Sequence, residues 1–182
     1  MKFITKSQIR LPKRGKESHK GQNGLVLVVG GSENYVGAIV LAGLAALRSG
    51  ADLVNAVAPE KVAWAINCIS PDLITTKVIG DYFKEKDAEL TIHLLEKFDV
   101  LLIGNGIGVN NESKKFCRKV VKNVKKFKVI DADALKSIIA DDAENSIITP
   151  HSKELEQFLV NSNINKSIIN EINNQKNIVK KS

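Results

Sequence analysis

Chemistry in this chain would have to come from a few residues that each follow an apolar run. Gly30 and Gly31 stand directly after residues 25–29, and Gly104, Gly106 and Gly108 follow residues 100–103. A strand that passes through glycines into a helix start offers backbone N–H groups to a phosphate, because no side chain blocks close approach. Asp131 and Asp133 close a third run, and His151 follows Pro150 after a fourth. A phosphate-bearing small molecule or a dinucleotide is the ligand class such turns suit. The order Gly-Gly-Ser-x-x-x-x-Gly meets neither Gly-x-Gly-x-x-Gly nor the P-loop, so a plain strand-to-helix turn competes as the reading of Gly30 and Gly31.

The elements that must hold these residues alternate along the chain. Strands are predicted over 25–29, 53–58, 73–78, 100–103, 128–130 and 146–149, and helices from 36 onward and over 61–69, 88–97, 113–126 and 152–160. This rhythm predicts an α/β fold of three layers, αβα, with a mostly parallel sheet, and gathers the functional residues where the strands end. Ser32 or Asn34 is the expected cap of the first helix, and Gly37-Ala38 leave room at its first turn. Its stretch 39–47 carries no charge, which predicts an interior position. Phe116, Val120 and Val124 make one face of the helix over 113–126, and its lysines make a solvated outer face. A last apolar stripe, Ile168, Ile172 and Val179, predicts a helix over 165–181 with no strand after it.

The 182 residues suit a single domain. No apolar stretch is long enough to span a bilayer and no secretory signal opens the chain, so a cytoplasmic protein without membrane contact is expected. Cys68 and Cys117 have no second ligand at metal spacing and are expected to be core thiols in a reducing compartment, which excludes a structural zinc site. The net charge of +7 sits mainly on one helix and aromatics are 5% of residues; neither supports specific nucleic-acid binding. His93 is expected on a helix surface. Lys20 is open to two readings, a phosphate contact or plain solvent exposure.

His19-Lys20-Gly21 with Val26 to Ala38, Ala45 to Val54, Asp99 to Gly108, Val129 to Leu135, and Ile148-Thr149-Pro150-His151 with Glu154 stand in this order along the chain. In these blocks the sequence resembles the ADP-dependent NAD(P)H-hydrate dehydratases of the ribokinase-like superfamily. The resemblance implies a lyase of metabolite repair, in which ADP or ATP phosphorylates the hydroxyl of NADHX or NADPHX, with Mg²⁺, and elimination restores NADH or NADPH. It places Ala38, Gly106, Gly108 and His151 on the hydrated dinucleotide. Asp131 and Glu154 are the carboxylates it puts nearest Mg²⁺. Against this, Asp131 and Glu154 each have a second reading as helix-start residues.

Two departures follow. Ser152-Lys153 stands between His151 and Glu154 where the family usually has Pro-Gly. The family's Gly-x-Gly-Asp segment, with its catalytic aspartate, does not occur in residues 1–182, so a ribokinase-like domain truncated at its C-terminus is expected. Activity alone is then in question, and a second copy of the chain or a complementing C-terminal segment is the expected partner. The competing functions are a non-catalytic dinucleotide-binding or assembly module and another ribokinase-like small-molecule kinase.

Overall fold

The computed structural model describes residues 14–164; the helix expected over 165–181 lies outside them. Six strands, β1 (Leu25–Val29), β2 (Leu53–Pro59), β3 (Ile74–Val78), β4 (Val100–Ile103), β5 (Phe127–Ile130) and β6 (Ser146–Ile148), form one sheet in the order β3-β2-β1-β4-β5-β6. Every pairing is parallel. The register aligns Val29 with Ile103, Ile103 with Ile130 and Ile130 with Ile148. Four strands therefore end in one row, and the segments beginning at Gly30, Gly104, Asp131 and Thr149 leave the sheet side by side. The chain reverses its direction of winding between β1 and β4, and the crevice outside the carboxyl ends of those strands is where such sheets bind ligands.

Side chains alternate across each strand, which gives the sheet two cores. Val28, Val54, Ala56 and Ala58 pack with α1 (Val36–Arg48) and α2 (Glu60–Ile69) on one face. Leu27, Val29, Leu101, Ile103 and Ile130 pack on the other with α3 (Ala88–Leu95), α4 (Asn111–Asn123), α5 (Ala132–Leu135) and α6 (Ser152–Asn161). Phe83 and Phe116 stack at the centre of this second core, ring centroids 4.4 Å apart. The expected αβα layering holds.

Four local expectations are corrected. The chargeless helix α1 buries only Ile39, Val40 and Gly43, while Leu41 is 69% exposed; one sheet face accepts one side of a helix, and nothing among the described residues covers the other. Its N-cap is Tyr35, without a side-chain capping bond, rather than Ser32 or Asn34; a turn closed by the Tyr35 N–H on the Ser32 carbonyl at 2.9 Å takes up those residues and delays the helix start. Cys68 is exposed and only Cys117 is a core thiol. The inward face of α2 is set by Val62, Ala63 and Ile66, and that phase turns Cys68 outward. The basic helix ends at Asn123, so Lys125 and Lys126 lie beyond it. Among its other lysines, Lys114, Lys115 and Lys122 are exposed as expected. His93 is likewise on the surface, its side chain 71% exposed.

At the opposite, amino edge, two aspartates at strand starts hold the arm that precedes β1. Asp52 accepts the N–H groups of Gly21 (2.8 Å) and Asn23 (2.9 Å) and pairs with Arg14. Asp99 accepts the N–H of Leu25 at 2.8 Å. His19-Lys20-Gly21 is thereby anchored a strand's length, roughly 16 Å for five residues, from the glycine turn that follows β1. Lys20 is exposed on this amino-edge arm.

Candidate functional site

The carboxyl-edge segments are bonded to one another. Gly31 N–H donates to the Asn105 carbonyl at 2.8 Å, Asn105 Nδ2 donates to Asp131 Oδ2 at 2.8 Å, and Thr149 Oγ1 donates to Asp131 Oδ1 at 2.7 Å. One chain of hydrogen bonds thus runs across β1, β4, β5 and β6, with Asp131 at its centre. The glycines are required for the approach. A Cβ on Gly30 would lie 2.4 Å from the Asn105 carbonyl oxygen, and one on Gly104 would lie 1.9 Å from that of Asp131. Ala132, at φ 48°, adopts the left-handed backbone that L-residues avoid; strain of this kind concentrates at functional sites.

Of the residues singled out from sequence, Gly31 and Asp131 belong to this network, and Gly106 and Gly108 lie in the turn that follows Asn105. Gly106 (φ +71°) lies under Tyr35, whose Cβ would be 2.6 Å from an added Cβ, whereas one on Gly108 (φ +86°) would meet nothing within 4 Å. Gly108 N–H donates to Asp133 Oδ2 at 3.0 Å, and Asp133 Oδ1 pairs with Lys136 Nζ at 2.7 Å. That carboxylate, by its hydrogen bond, holds the Lys136 ammonium above the usual lysine range. Ala38 is half-buried in the first turn of α1, behind Tyr35.

His151 is the N-cap of α6. Its Nδ1 accepts the N–H of Lys153 at 3.2 Å, which leaves the proton on Nε2, and Nε2 lies 3.1 Å from Glu154 Oε1. Glu154 Oε2 accepts the His151 backbone N–H at 3.0 Å, completing a capping box. Glu154 is 6% exposed, so its carboxylate positions the His151 ring.

A cation fits here in part. Each Asp131 oxygen accepts one hydrogen bond and keeps a lone pair, and Asn105 Oδ1 beside it is buried without a hydrogen-bond partner. Mg²⁺ commonly takes one or two carboxylates together with phosphate oxygens, and Asp131 suits that. Glu154 would reach a cation only by releasing His151. Among the described residues no group of three His, Cys, Asp or Glu side chains could hold a metal alone.

A cleft of about 110 Å³ opens next to the turn after β1, between Glu33 and Val36 on one side and Pro59, Lys61, Val62 and Asp81 on the other. Lys61 and Asp81 bridge its rim at 3.0 Å.

Sequence reasoning did not single out Tyr35, Asn105, Lys136 or Thr149. Lys136 carried one usable signal, its i,i+3 spacing from Asp133; the others are set by contacts between strands. No helix among the described residues is long and apolar enough to cross a membrane.

The family model described as NAD(P)H-hydrate dehydratase matches residues 26–181. The chain is 43% identical over 149 residues to the bifunctional NAD(P)H-hydrate repair enzyme Nnr of Methanocaldococcus jannaschii, covering 80% of this chain and 30% of that protein. It is 33% identical over 170 residues to the ATP-dependent (S)-NAD(P)H-hydrate dehydratase 1 of Puccinia graminis, covering 86% of this chain and 42% of that protein. Among solved structures, the ADP/ATP-dependent NAD(P)H-hydrate dehydratase from Bacillus subtilis, co-crystallized with ATP/Mg²⁺, superposes with a TM-score of 0.67 at 28% identity, over 81% of this chain and 51% of that one. A ribokinase-like superfamily protein from Enterococcus faecalis gives 0.70 at 23% identity, a likeness of fold. The chain thus spans from 30% to about half of the length of these proteins.

Proposed function

The chain belongs to the NAD(P)H-hydrate dehydratase family, and from that premise we propose that it serves the repair of hydrated nicotinamide cofactors, the dehydration of (6S)-NAD(P)H hydrate to NAD(P)H at the expense of ADP or ATP. The observation that supports the reading is the hydrogen-bonded row of strand ends, Gly31, Asn105, Asp131 and Thr149, with Gly106 and Gly108 in the turn after Asn105 and His151 two residues after Thr149.

In this reading Gly106 and Gly108 let the dinucleotide approach the backbone, and Ala38 leaves space at the start of α1. His151 hydrogen-bonds the nicotinamide end through Nε2, exchanging its contact with Glu154 for the ligand, since Nδ1 already accepts the Lys153 N–H. Asp131 is the carboxylate available to Mg²⁺, and Mg²⁺ when bound offsets the charge of the nucleotide phosphates. The hydrate's hydroxyl oxygen receives the phosphoryl group; its bond to the ring carbon then breaks with loss of phosphate and a ring proton. The crevice residues orient the ring and exclude water during these steps.

A second reading is a dinucleotide-binding module without turnover, favoured by the left-handed turns at Gly104, Gly106 and Gly108, which suit a phosphate, where among the described residues no group of three His, Cys, Asp or Glu could hold a metal alone. We assign the phosphoryl-transfer groups to a complementing C-terminal segment, and a second copy of the chain enters the proposal only as a dimer partner. A cytoplasmic location is part of the same proposal, since the damaged substrate arises where NADH and NADPH are used.

The test incubates the protein with NADH hydrate, ADP or ATP, and Mg²⁺, with and without the C-terminal half of a dehydratase, and follows returning NADH absorbance. Turnover on addition of that half supports the enzyme. Hydrate binding without turnover in either case supports the binding module, and neither binding nor turnover overturns both.

A further inference from the structure

We propose that Lys136 is a phosphate-binding residue of this crevice and that the Asp133 carboxylate occupies the phosphate's place until a ligand displaces it; this rests on the dinucleotide reading above. The donors that converge on Asp133 are those of an anion site. One is the backbone N–H of a left-handed glycine, Gly108, at 3.0 Å, and the other is the Lys136 ammonium at 2.7 Å. An amide N–H from a glycine turn and a lysine point charge are how proteins cradle phosphates.

Access supports the exchange. A Cβ on Gly108 would meet nothing within 4 Å, so the turn faces open space. The Lys136 side chain is 36% exposed and that of Asp133 is 17% exposed, so the lysine can follow a ligand and the carboxylate can turn to water. A phosphate brings more charge and more acceptor oxygens than the carboxylate it replaces. Opposing it, Glu154 lies within electrostatic reach of Lys136. If the pair were only an i,i+3 bond of a short helix, neutralising Asp133 would lower the melting temperature and leave anion affinity alone.

The experiment titrates inorganic pyrophosphate into the full chain by calorimetry, with the Gly108 amide followed by NMR and Tm measured for every variant. Asp133→Asn is expected to bind pyrophosphate about tenfold more tightly than wild type, and Lys136→Ala about tenfold less tightly, with Lys136→Arg near wild type. The proposal is overturned if Asp133→Asn binds no better, if Lys136→Ala binds equally well, or if none of these folded proteins binds pyrophosphate. Parallel titrations with NADH and NADPH locate the phosphate: equal losses in Lys136→Ala assign the pyrophosphate, and a larger loss for NADPH assigns the 2′-phosphate. Pyrophosphate binding with this pattern, without any binding of NADH hydrate, would defeat the dinucleotide reading and leave Lys136 in place. Hydrate binding indifferent to both substitutions would do the reverse.

Discussion

Gly104 and Asp131 meet so closely that a single methyl group could not be inserted between them: a Cβ on Gly104 would lie 1.9 Å from the Asp131 carbonyl oxygen and 2.9 Å from the Ala134 Cβ. Gly104 also has a φ of +125°. Its replacement by alanine is expected to lower stability by about 3 kcal/mol or more and to push Asp131 out of the Asn105–Thr149 bridge. Denaturant unfolding checks the first effect and hydrate affinity the second.

Gly106 and Gly108 separate backbone strain from packing. Both have positive φ, +71° and +86°, but only Gly106 has Tyr35 against it. Gly108→Ala should cost about 1–2 kcal/mol, the price of a left-handed alanine. Gly106→Ala should cost more and should move Tyr35, read as a larger fall in Tm and a change in tyrosine fluorescence.

The amino-edge anchor has an acid signature. The Asn23 backbone N–H above all, joined by the Asn23 side chain, Gly21 and Arg14, holds the Asp52 carboxyl below the usual carboxylate range. A depressed folded pKa contributes stability that is present above the unfolded value, about 3.9, and is lost as pH falls through the folded one. Asp52→Asn should therefore be less stable than wild type at neutral pH, with the gap in Tm closing below about pH 4.

Lys128 behaves in the opposite sense. It is 3% exposed, its Nζ donates only to the Val124 carbonyl at the end of α4, and burial, with Lys125 second, holds its pKa below the usual lysine value. The cost of the buried charge is present at neutral pH and is relieved as pH rises through the folded pKa toward the unfolded value, about 10.4. Lys128→Met should match or exceed the wild-type Tm at pH 7, and wild type should gain on it as the solution becomes alkaline.

The centre of the sheet was legible in the sequence because β1 and β4 are continuous apolar runs stopped by glycine, as strands covered on both faces tend to be, whereas β3 (Ile-Thr-Thr-Lys-Val) and β5 carry polar residues and were legible from their place in the alternation. Gly106, Gly108 and Asp131 could be named because they punctuate those strands. Tyr35 and Asn105 could not, since a tyrosine that caps a helix without a side-chain bond and an asparagine that links two strand ends are chosen by packing across the sheet. His19-Lys20-Gly21 and Gly30-Gly31 are neighbours in sequence, yet β1 carries them to opposite edges. The spacing of His151 and Glu154 was visible, but that the carboxylate grips the ring appears only in three dimensions.

The central claim, that the crevice between β1 and β4 receives a hydrated nicotinamide dinucleotide, is tested most directly by calorimetric titration of NADH hydrate into wild type and His151→Ala. The account predicts saturable binding at one site per chain, weakened at least about tenfold in His151→Ala, which stays folded with the lower Tm expected from the lost α6 cap. No saturable binding to wild type, or equal affinity in the two proteins, would contradict it.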